Sequence, residues 1–201
     1  MWLEIDKLED GFLQLERLKH QHSHEIAEAV SDQDAEQLWF TSIPTKAKAA
    51  TYVEQALSAK DQICFVVRLK ETGELVGSTR FYDIKVEHKR AMIGYTWYLE
   101  PARRTSVNTR CKLLLLKHLF ESHSAIAVEL QTHFMNQASR AAIERLGAKQ
   151  DGILRNHQIM SDGSLRDTVC YSIIQSEWPA VRNQLQAKLL KYATLASRIG
   201  D

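Results

Sequence analysis

A basic segment in the middle of the chain has residue types that bind anions. Residues 101–118 contain no Asp or Glu and five Lys or Arg residues, namely Arg103, Arg104, Arg110, Lys112 and Lys117. A β-branched and aromatic run precedes the segment and a leucine-rich run follows it, so a strand, a short loop and a helix start are expected. Helix starts attract anions through unpaired N–H groups, and guanidinium groups add charge-assisted hydrogen bonds. The segment therefore predicts a pyrophosphate-binding loop, with a capped helix whose basic residues face solvent as the alternative.

A second polar pair lies further along the chain, at Asn136 and Ser139. The residues are three positions apart at the start of a segment with helical periodicity, so they share one face of the first turn. Such side chains bind ligands, but they also cap helices by hydrogen bonding to backbone N–H groups. Taken alone, the pair favours capping.

The sequence offers no strong metal site. The H-x-H-x-H run at 20–24 would share a face on a strand, but it falls at an expected helix start, where alternate residues diverge. The cysteines, Cys64, Cys111 and Cys170, are widely spaced and form no C-x-x-C pair. This spacing excludes a disulfide framework and a zinc ribbon, and it fits a reducing compartment. We expect no metal, and packing rather than reactivity for Cys111.

The period of the apolar residues predicts the elements that position these groups. Strands are predicted at 12–18, 63–69, 75–82, 91–99, 125–130, 152–160 and 165–174. Helices are predicted at 22–38 with a break near Ser31, and at 45–57, 105–120, 136–146 and 178–195, with an aromatic loop at 39–44 that contains Trp39. Gly147 stands where a helix C-terminus requires a left-handed residue, and Asp162–Gly163 marks a hairpin turn.

The order of these elements predicts the fold class, which is α/β of the α+β kind. Antiparallel strands precede a strand–helix–strand unit, so the sheet is mixed, mostly antiparallel and twisted, with helices on both faces. A doubly wound nucleotide-binding fold is disfavoured because it needs regular alternation of strands and helices.

The composition limits the class of protein. The 201 residues are 44% hydrophobic and 25% charged, which is ordinary globular usage for a single domain. The net charge of +1 argues against a dedicated nucleic-acid binder. The first residues lack the pattern of a signal peptide, and the longest apolar run, Leu113–Leu116, is too short to cross a bilayer. We expect a soluble cytoplasmic protein with no nucleic-acid or membrane partner.

Together, the two polar windows resemble the Gcn5-related N-acetyltransferase (GNAT) superfamily, and within it the RimJ/RimL type. The pieces that carry the resemblance are G-Y-T-W at 94–97, the loop R-R-T-S-V-N at 103–108, N-x-x-S at 136–139 ahead of a helix ending in L-G, and D-G-S-L-R-D-T-V-x-Y-S-I at 162–173. The resemblance spans roughly residues 12–185. It implies one N-acetyltransferase domain over 1–201, with a C-terminal helix at about 178–195 and central strands that splay apart.

The resemblance also implies an acetyl-CoA site. The pantetheine would lie between the strand ending at Leu99 and the strand at 125–130, along an edge that includes Trp97. Asn136 would contact the cofactor arm, and Ser139 would take the place of a tyrosine that many relatives have near the thioester sulfur. The pyrophosphate would be held by the loop residues Arg103, Arg104, Thr105, Ser106, Val107, Asn108 and Thr109.

The sequence departs from the family pattern in two ways. Ser106 and Asn108 replace both loop glycines, and Arg104 stands where relatives of this type often have another glycine. Because serine is small and asparagine tolerates left-handed angles, we expect acetyl-CoA binding to be retained. Some relatives have a catalytic glutamate before the hairpin turn, but residues 155–160 contain no carboxylate. His157 is the candidate base there, with a hydrogen-bonded strand histidine as the alternative.

These observations predict an acetyl-CoA-dependent N-acetyltransferase in which a primary amine attacks the acetyl group directly. An α-amino group is about 3.5 kcal/mol easier to deprotonate than a lysine, so a site without a strong base favours N-terminal or other low-pKa amines. The acceptor is expected to be a peptide N-terminus or a small amine, and the family implies a backbone N–H around Leu99 as oxyanion donor. The alternative is a CoA-binding sensor or interaction module without catalysis. The protein is expected to be a monomer or a homodimer.

Overall fold

The computed structural model describes residues 2–31 and 43–199, with side chains as far as Thr194. The α-helices of these residues are α1 (His22–Ala29), α2 (Ala49–Ser58), α3 (Val107–Lys117), α4 (Gln137–Leu146) and α5 (Trp178–Ile199). The strands are β1 (Lys7–Glu9), β2 (Leu13–Arg17), β3 (Ile63–Leu69), β4 (Leu75–Lys85), β5 (Arg90–Tyr98), β6 (Ala127–His133), β7 (Lys149–Ile159) and β8 (Leu165–Ile174). Short 3₁₀ turns cover Lys46–Lys48 and Glu100–Ala102, and a π-helical turn covers His118–Ser122.

The eight strands form one sheet in the order β1-β2-β3-β4-β5-β6-β8-β7. Antiparallel pairing joins β1 to β2, β2 to β3, β3 to β4, β6 to β8 and β8 to β7. The parallel pairing of β5 with β6 joins Arg90–Met92 to Ala127–Glu129. The predicted α/β class with a mixed, mostly antiparallel sheet is therefore confirmed. The splay of the central strands stays a prediction.

The chain divides into two compact units, Met1–Ile84 with Ile93–Leu115, and Lys85–Met92 with Leu116–Asp201. The first unit holds β1 to β3, nearly all of β4, most of β5, α1, α2 and most of α3. The second unit holds the turn between β4 and β5, together with β6, α4, β7, β8 and α5. The single domain expected over 1–201 stays a prediction.

Different helices cover the two faces of the sheet in the first unit. Trp97, which is 3% exposed, belongs to one buried cluster with Ile26 of α1 and Val53 of α2. Successive strand residues point to opposite faces, so Thr96 faces the other way. There its hydroxyl oxygen accepts a hydrogen bond from Lys112 of α3 (2.7 Å). Helices thus lie on both faces, as predicted.

In the second unit, α5 packs through its first turns. Trp178 stacks on Phe120 with 5.3 Å between ring centroids, and its Nε1 donates to Oε1 of Glu121 (3.1 Å). Val181 and Leu185 are buried. The first turns of α5 therefore dock on their own chain.

Most predicted elements match the structure, and β8 matches to the residue. Gly147 follows α4 at φ +103°, the left-handed conformation expected of it. Helix α1 ends at Ala29, close to the break expected near Ser31, while the predicted helical residues 32–38 and Trp39 lie outside the described residues. Strand β1 was not predicted, since three residues are too few to show an alternating pattern.

Candidate active site

The end of β5 is held firmly against its neighbours. Trp97 donates from Nε1 to the hydroxyl oxygen of Tyr52 (3.2 Å), and the N–H of Leu99 donates to the carbonyl of Val76 (2.9 Å). An oxyanion donor at Leu99 itself would have to give up this hydrogen bond. A Cβ placed on Gly77 of β4 would collide with the carbonyl oxygen of Trp97. Glycine therefore allows β4 and β5 to approach closely beside the predicted site.

Strand β5 carries an irregularity just before Trp97. Tyr95 has a φ of +49°, which is uncommon for a residue with a side chain. Its ring is 46% exposed and packs edge-on against Tyr82, with 5.1 Å between centroids. Such backbone conformations cost free energy and cluster at functional sites.

The loop that follows β5 turns at Arg104, whose φ is +61°. Ser106 and Asn108 do not share this left-handed conformation. Of the three replaced glycine positions, only that of Arg104 therefore requires the backbone angle that glycine supplies most easily. The Arg104 side chain is exposed, so the arginine strains the backbone without crowding the interior.

Thr105 caps the start of α3 with its hydroxyl group. Its hydroxyl donates to the carbonyl of Ala102 (2.7 Å) and accepts from the N–H of Val107 (3.3 Å). The first N–H groups of a helix have no acceptor within the helix. With Val107 capped, the N–H groups of Asn108 and Thr109 remain available at the helix start, at its positive dipole end.

The side chains that replace the two loop glycines are held by hydrogen bonds. Ser106 is buried, and its hydroxyl oxygen accepts from Nε of Arg110 (3.3 Å). Asn108 accepts from the hydroxyl of Tyr98 through Oδ1 (3.2 Å). Burial and the neighbouring Cys111 thiol raise the pKa of Tyr98 well above its usual value, so this hydroxyl stays a donor.

The basic charge of this segment is less concentrated than the sequence indicates. Arg110 forms an ion pair with Asp10 (2.7 Å), and its guanidinium lies over the ring of Phe12, 4.8 Å from the centroid. Lys112 is 5% exposed and lies in the interior. Arg103 donates from Nε to the carbonyl of Tyr98 (2.9 Å), beside the exposed Arg104. The positive charge at the loop therefore comes from Arg103 and Arg104.

Cys111 is fully buried, and burial raises the pKa of its thiol to about 12. A thiol with this pKa stays protonated at neutral pH, which confirms that Cys111 is a packing residue rather than a reactive one.

In the second unit, Asn136 caps helix α4. Its Oδ1 accepts from the N–H of Ser139 (2.9 Å), so the capping interpretation of this pair is confirmed. The side-chain NH₂ of Asn136 is not part of the cap and can still donate to a ligand. Both side chains are partly exposed at the helix start.

His157 lies exposed on β7, where its Nδ1 is within hydrogen-bond distance of the hydroxyl of Thr168 (3.0 Å). The same hydroxyl accepts from Nε of Arg166 (3.0 Å). The alternative of a hydrogen-bonded strand histidine is therefore present in the structure. Ser139 is not among the hydrogen-bond partners of His157 within the described residues.

A cavity of about 800 Å³ in the second unit contains none of the predicted site residues. It is lined by Lys85, Glu87, His88, Lys89, Arg90, Ile126 and Glu129.

Sequence reasoning did not foresee that two cations of the first unit, Arg80 on β4 and Lys112 on α3, are buried. The signal for Arg80 was an arginine inside the otherwise uncharged strand segment 75–82. Within the ranges 2–31 and 43–199, no group of three or more His, Cys, Asp or Glu side chains is placed to hold a metal ion. In the same ranges, no helix combines the length and apolar content needed to cross a membrane.

Comparison with known proteins places these observations in one family. Residues 13–149 match the acetyltransferase (GNAT) domain. YdaF, a proposed ribosomal N-acetyltransferase of Bacillus subtilis (strain 168), is 27% identical over 106 residues, which cover 53% of this chain and 57% of YdaF. YoaA, an uncharacterised N-acetyltransferase of the same organism, is 24% identical over 167 residues, which cover 75% of this chain and 93% of YoaA.

The fold agrees with this assignment. The crystal structure of a GCN5-related N-acetyltransferase from Brucella melitensis matches with a TM-score of 0.86 and 29% identity, covering 93% of this chain and 86% of that one. The domain match extends over more than half of the chain. The chain therefore belongs to the GNAT family of acetyltransferases and is an acyltransferase of the N-acetyltransferase class.

Proposed function

We propose that the protein transfers the acetyl group of acetyl-CoA to a primary amine, and that loop 103–109 holds the pyrophosphate of the donor. The observation that carries the proposal is the start of α3, where the N–H groups of Asn108 and Thr109 lack intrahelical acceptors next to Arg103 and Arg104. Helix dipole and guanidinium charge both favour an anion at this point.

The side chains in the loop are compatible with that donor. The Ser106 side chain is hydrogen-bonded to Arg110, and the Asn108 side chain to Tyr98. These hydrogen bonds keep both side chains from covering the loop amides. Arg104 supplies the left-handed turn itself. We infer that the loop binds pyrophosphate with these larger residues in place of the usual glycines, at some cost in backbone strain.

For the acceptor, we favour a peptide N-terminus or a small low-pKa amine. An α-amino group is neutral in roughly 10–15% of molecules at pH 7, whereas a lysine is neutral in about 0.04%. His157 is exposed and has no carboxylate partner in its strand stretch, so we assign it at most the transfer of the released proton. The ribosomal description of YdaF fits a peptide acceptor.

In the second unit we assign Asn136 to the acetyl-CoA arm through its side-chain NH₂, and Ser139 to hydrogen bonding near the departing thiolate. A coenzyme A thiolate with a pKa near that of cysteine needs only modest help to leave, so a hydroxyl donor suffices. Acetyl-CoA supplies the activated acyl group, and these residues orient it.

The direct test measures thiol release from acetyl-CoA in the presence of peptides, polyamines and small amines. Release with at least one amine, and acetylated product by mass spectrometry, is the expected result. Tight binding of acetyl-CoA without release across a broad panel would instead support the CoA-binding sensor. No binding of acetyl-CoA at all would overturn both.

A residue test separates the cap from the ligand contact at Asn136. Asn136→Ser keeps a capping oxygen but removes the NH₂ donor, whereas Asn136→Ala removes both. We expect both variants to raise the KM for acetyl-CoA, and only Asn136→Ala to lower the melting temperature. Ser139→Ala should lower kcat, while Gln137→Ala, an exposed neighbour on the same turn, serves as the control. An unchanged KM for acetyl-CoA in Asn136→Ser would show that Asn136 caps the helix and does not contact the ligand.

A further inference from the structure

A guanidinium group is buried on β4 in the first unit. Arg80 is 5% exposed and lies opposite Cys64 of β3. Its Nη1 donates to Oε1 of Gln62 (2.9 Å). Its Nε is also buried, and it has no hydrogen-bond partner within the described part of the chain. Arginine has five N–H donors and is always charged, so the neutral acceptor at Nη1 supplies no negative charge and leaves the Nε donor unsatisfied.

Two aromatic rings flank this guanidinium. The Cζ atom of Arg80 lies 4.9 Å from the ring centroid of Tyr52 and 4.4 Å from that of Tyr95. Both rings can stabilise a cation through their π faces. They offer no oxygen to Nε, and no carboxylate forms an ion pair with Arg80 among residues 2–31 and 43–199.

Within the described part of the chain, no side chain compensates the buried charge of Arg80. Burying a charge is costly unless it is paired and hydrogen-bonded, and an apolar side chain of similar size would fill the same space without that cost. An unsatisfied buried donor also carries its own penalty. The arrangement is accounted for if the guanidinium meets its anion when a substrate binds.

The position of Arg80 connects it to the candidate active site. The hydroxyl of Tyr52 accepts from Nε1 of Trp97 (3.2 Å), and Trp97 immediately precedes Tyr98 and the loop. Tyr52 therefore contacts both the guanidinium and the end of β5. On the other side, Tyr95 is 46% exposed, so the ring that covers the guanidinium there belongs to a residue at the protein surface.

We propose that Arg80 binds a carboxylate group of the acceptor, so that the enzyme selects amines that also carry a carboxylate. This inference rests on the proposed acetyl transfer and names its substrate class. A guanidinium suits the task because its planar N–H groups match the two oxygens of a carboxylate. The carboxylate is an acidic side chain near a peptide N-terminus, or the C-terminal carboxylate of a dipeptide, and both sources present the same chemistry.

The test compares acceptors that differ in one functional group. One arm pairs peptides with Asp or Glu in the first two positions against the same peptides with Asn or Gln. The other pairs dipeptides that have a free C-terminal carboxylate against the same dipeptides as C-terminal amides. We expect kcat/KM of the unmodified protein to favour the carboxylate member by about 10- to 100-fold in at least one arm, which then identifies the source.

Two variants assign this preference to Arg80. Arg80→Gln should reduce the preference, measured as the ratio of kcat/KM for the two acceptors within the same variant, to about twofold or less, and Arg80→Lys, which keeps the charge but not the planar fork, should be intermediate. Arg182→Gln, which removes a partly exposed guanidinium from α5, is the matched control and should keep the full preference.

The outcomes separate this inference from the proposed function. Transfer to both members of each pair at equal rates would overturn the role of Arg80 and leave the acetyltransferase proposal intact. A preference that survives in Arg80→Gln would also overturn it. Absence of transfer to any acceptor would overturn the proposed function together with this inference. The comparison of acceptors needs only the unmodified protein, so it holds even if a variant folds poorly.

Discussion

Replacing Lys112 with methionine is expected to stabilise the protein, because the native ammonium group is buried. Lys112 Nζ donates to Oγ1 of Thr96 (2.7 Å), and that hydroxyl is itself within hydrogen-bond distance of the hydroxyl of Thr79 (2.8 Å). Burial lowers the pKa of Lys112 from 10.5 to about 8. Methionine has a similar length and no charge, so it fills the same space without the desolvation cost.

The size of the effect follows from the pKa of Lys112. A folded pKa of about 8 against 10.5 in the unfolded chain costs about 3 kcal/mol of unfolding free energy at pH 7. Losing the hydrogen bond to Thr96 costs about 1 kcal/mol, and Thr79 still partners that hydroxyl. The net expectation for Lys112→Met is therefore a gain of about 2 kcal/mol at pH 7.

The pH dependence gives an independent check. Between pH 8 and 10.5 the unfolded chain binds the Lys112 proton more tightly than the folded chain does, so the stability of the native protein rises with pH relative to the variant. The advantage of Lys112→Met should fall from about 2 kcal/mol at pH 7 to about 1 kcal/mol at pH 9. Urea denaturation of both proteins at the two pH values measures this difference.

The control is Lys117→Met, which changes an exposed lysine at the end of the same helix and should alter stability little at either pH. A Lys112→Met variant that is less stable than the native protein, or whose advantage does not change between pH 7 and pH 9, would show that the ammonium group is not desolvated in the folded state.

Two further predictions concern the backbone near the loop. Arg104→Gly should be about 1 kcal/mol more stable than Arg104→Ala in thermal denaturation. The reason is that alanine keeps the left-handed strain at φ +61° and glycine does not. Equal melting temperatures of the two variants would mean that the turn is not strained. Gly77→Ala should lose about 2 kcal/mol in urea denaturation, because its Cβ meets the backbone of Trp97. Gly152→Ala, whose Cβ has nothing within 4 Å, should lose less, and equal losses would refute the close-approach argument.

The elements with a strong local pattern were predictable from the sequence. The hairpin signal at Asp162–Gly163 located the start of β8, and Gly147 marked the end of α4 because few other residues adopt its φ readily. The capping alternative for Asn136 was also visible, since its spacing to Ser139 is that of a helix cap.

What the sequence could not show were partners distant along the chain. Arg110 and Lys112 counted as charges for an anion, but one pairs with Asp10 and the other is buried against Thr96. Of the three loop positions where the family pattern has glycine, only Arg104 adopts the left-handed conformation. The family pattern indicated Ser106 and Asn108 equally. Backbone angles at a loop depend on how its ends are anchored, and a motif alone does not contain that information.

The contact between Asp10 and Arg110 spans 100 positions of sequence. At about 5–20 residues per second of translation, Asp10 is synthesised roughly 5–20 seconds before Arg110. In the folded protein its other oxygen has local partners, because Oδ1 accepts from the N–H groups of Phe12 (2.7 Å) and Leu13 (2.9 Å). Asp10 therefore joins a local turn to the start of a helix made much later in synthesis, and trimming the amino terminus past Asp10 would remove the ion-pair partner of Arg110 together with β1.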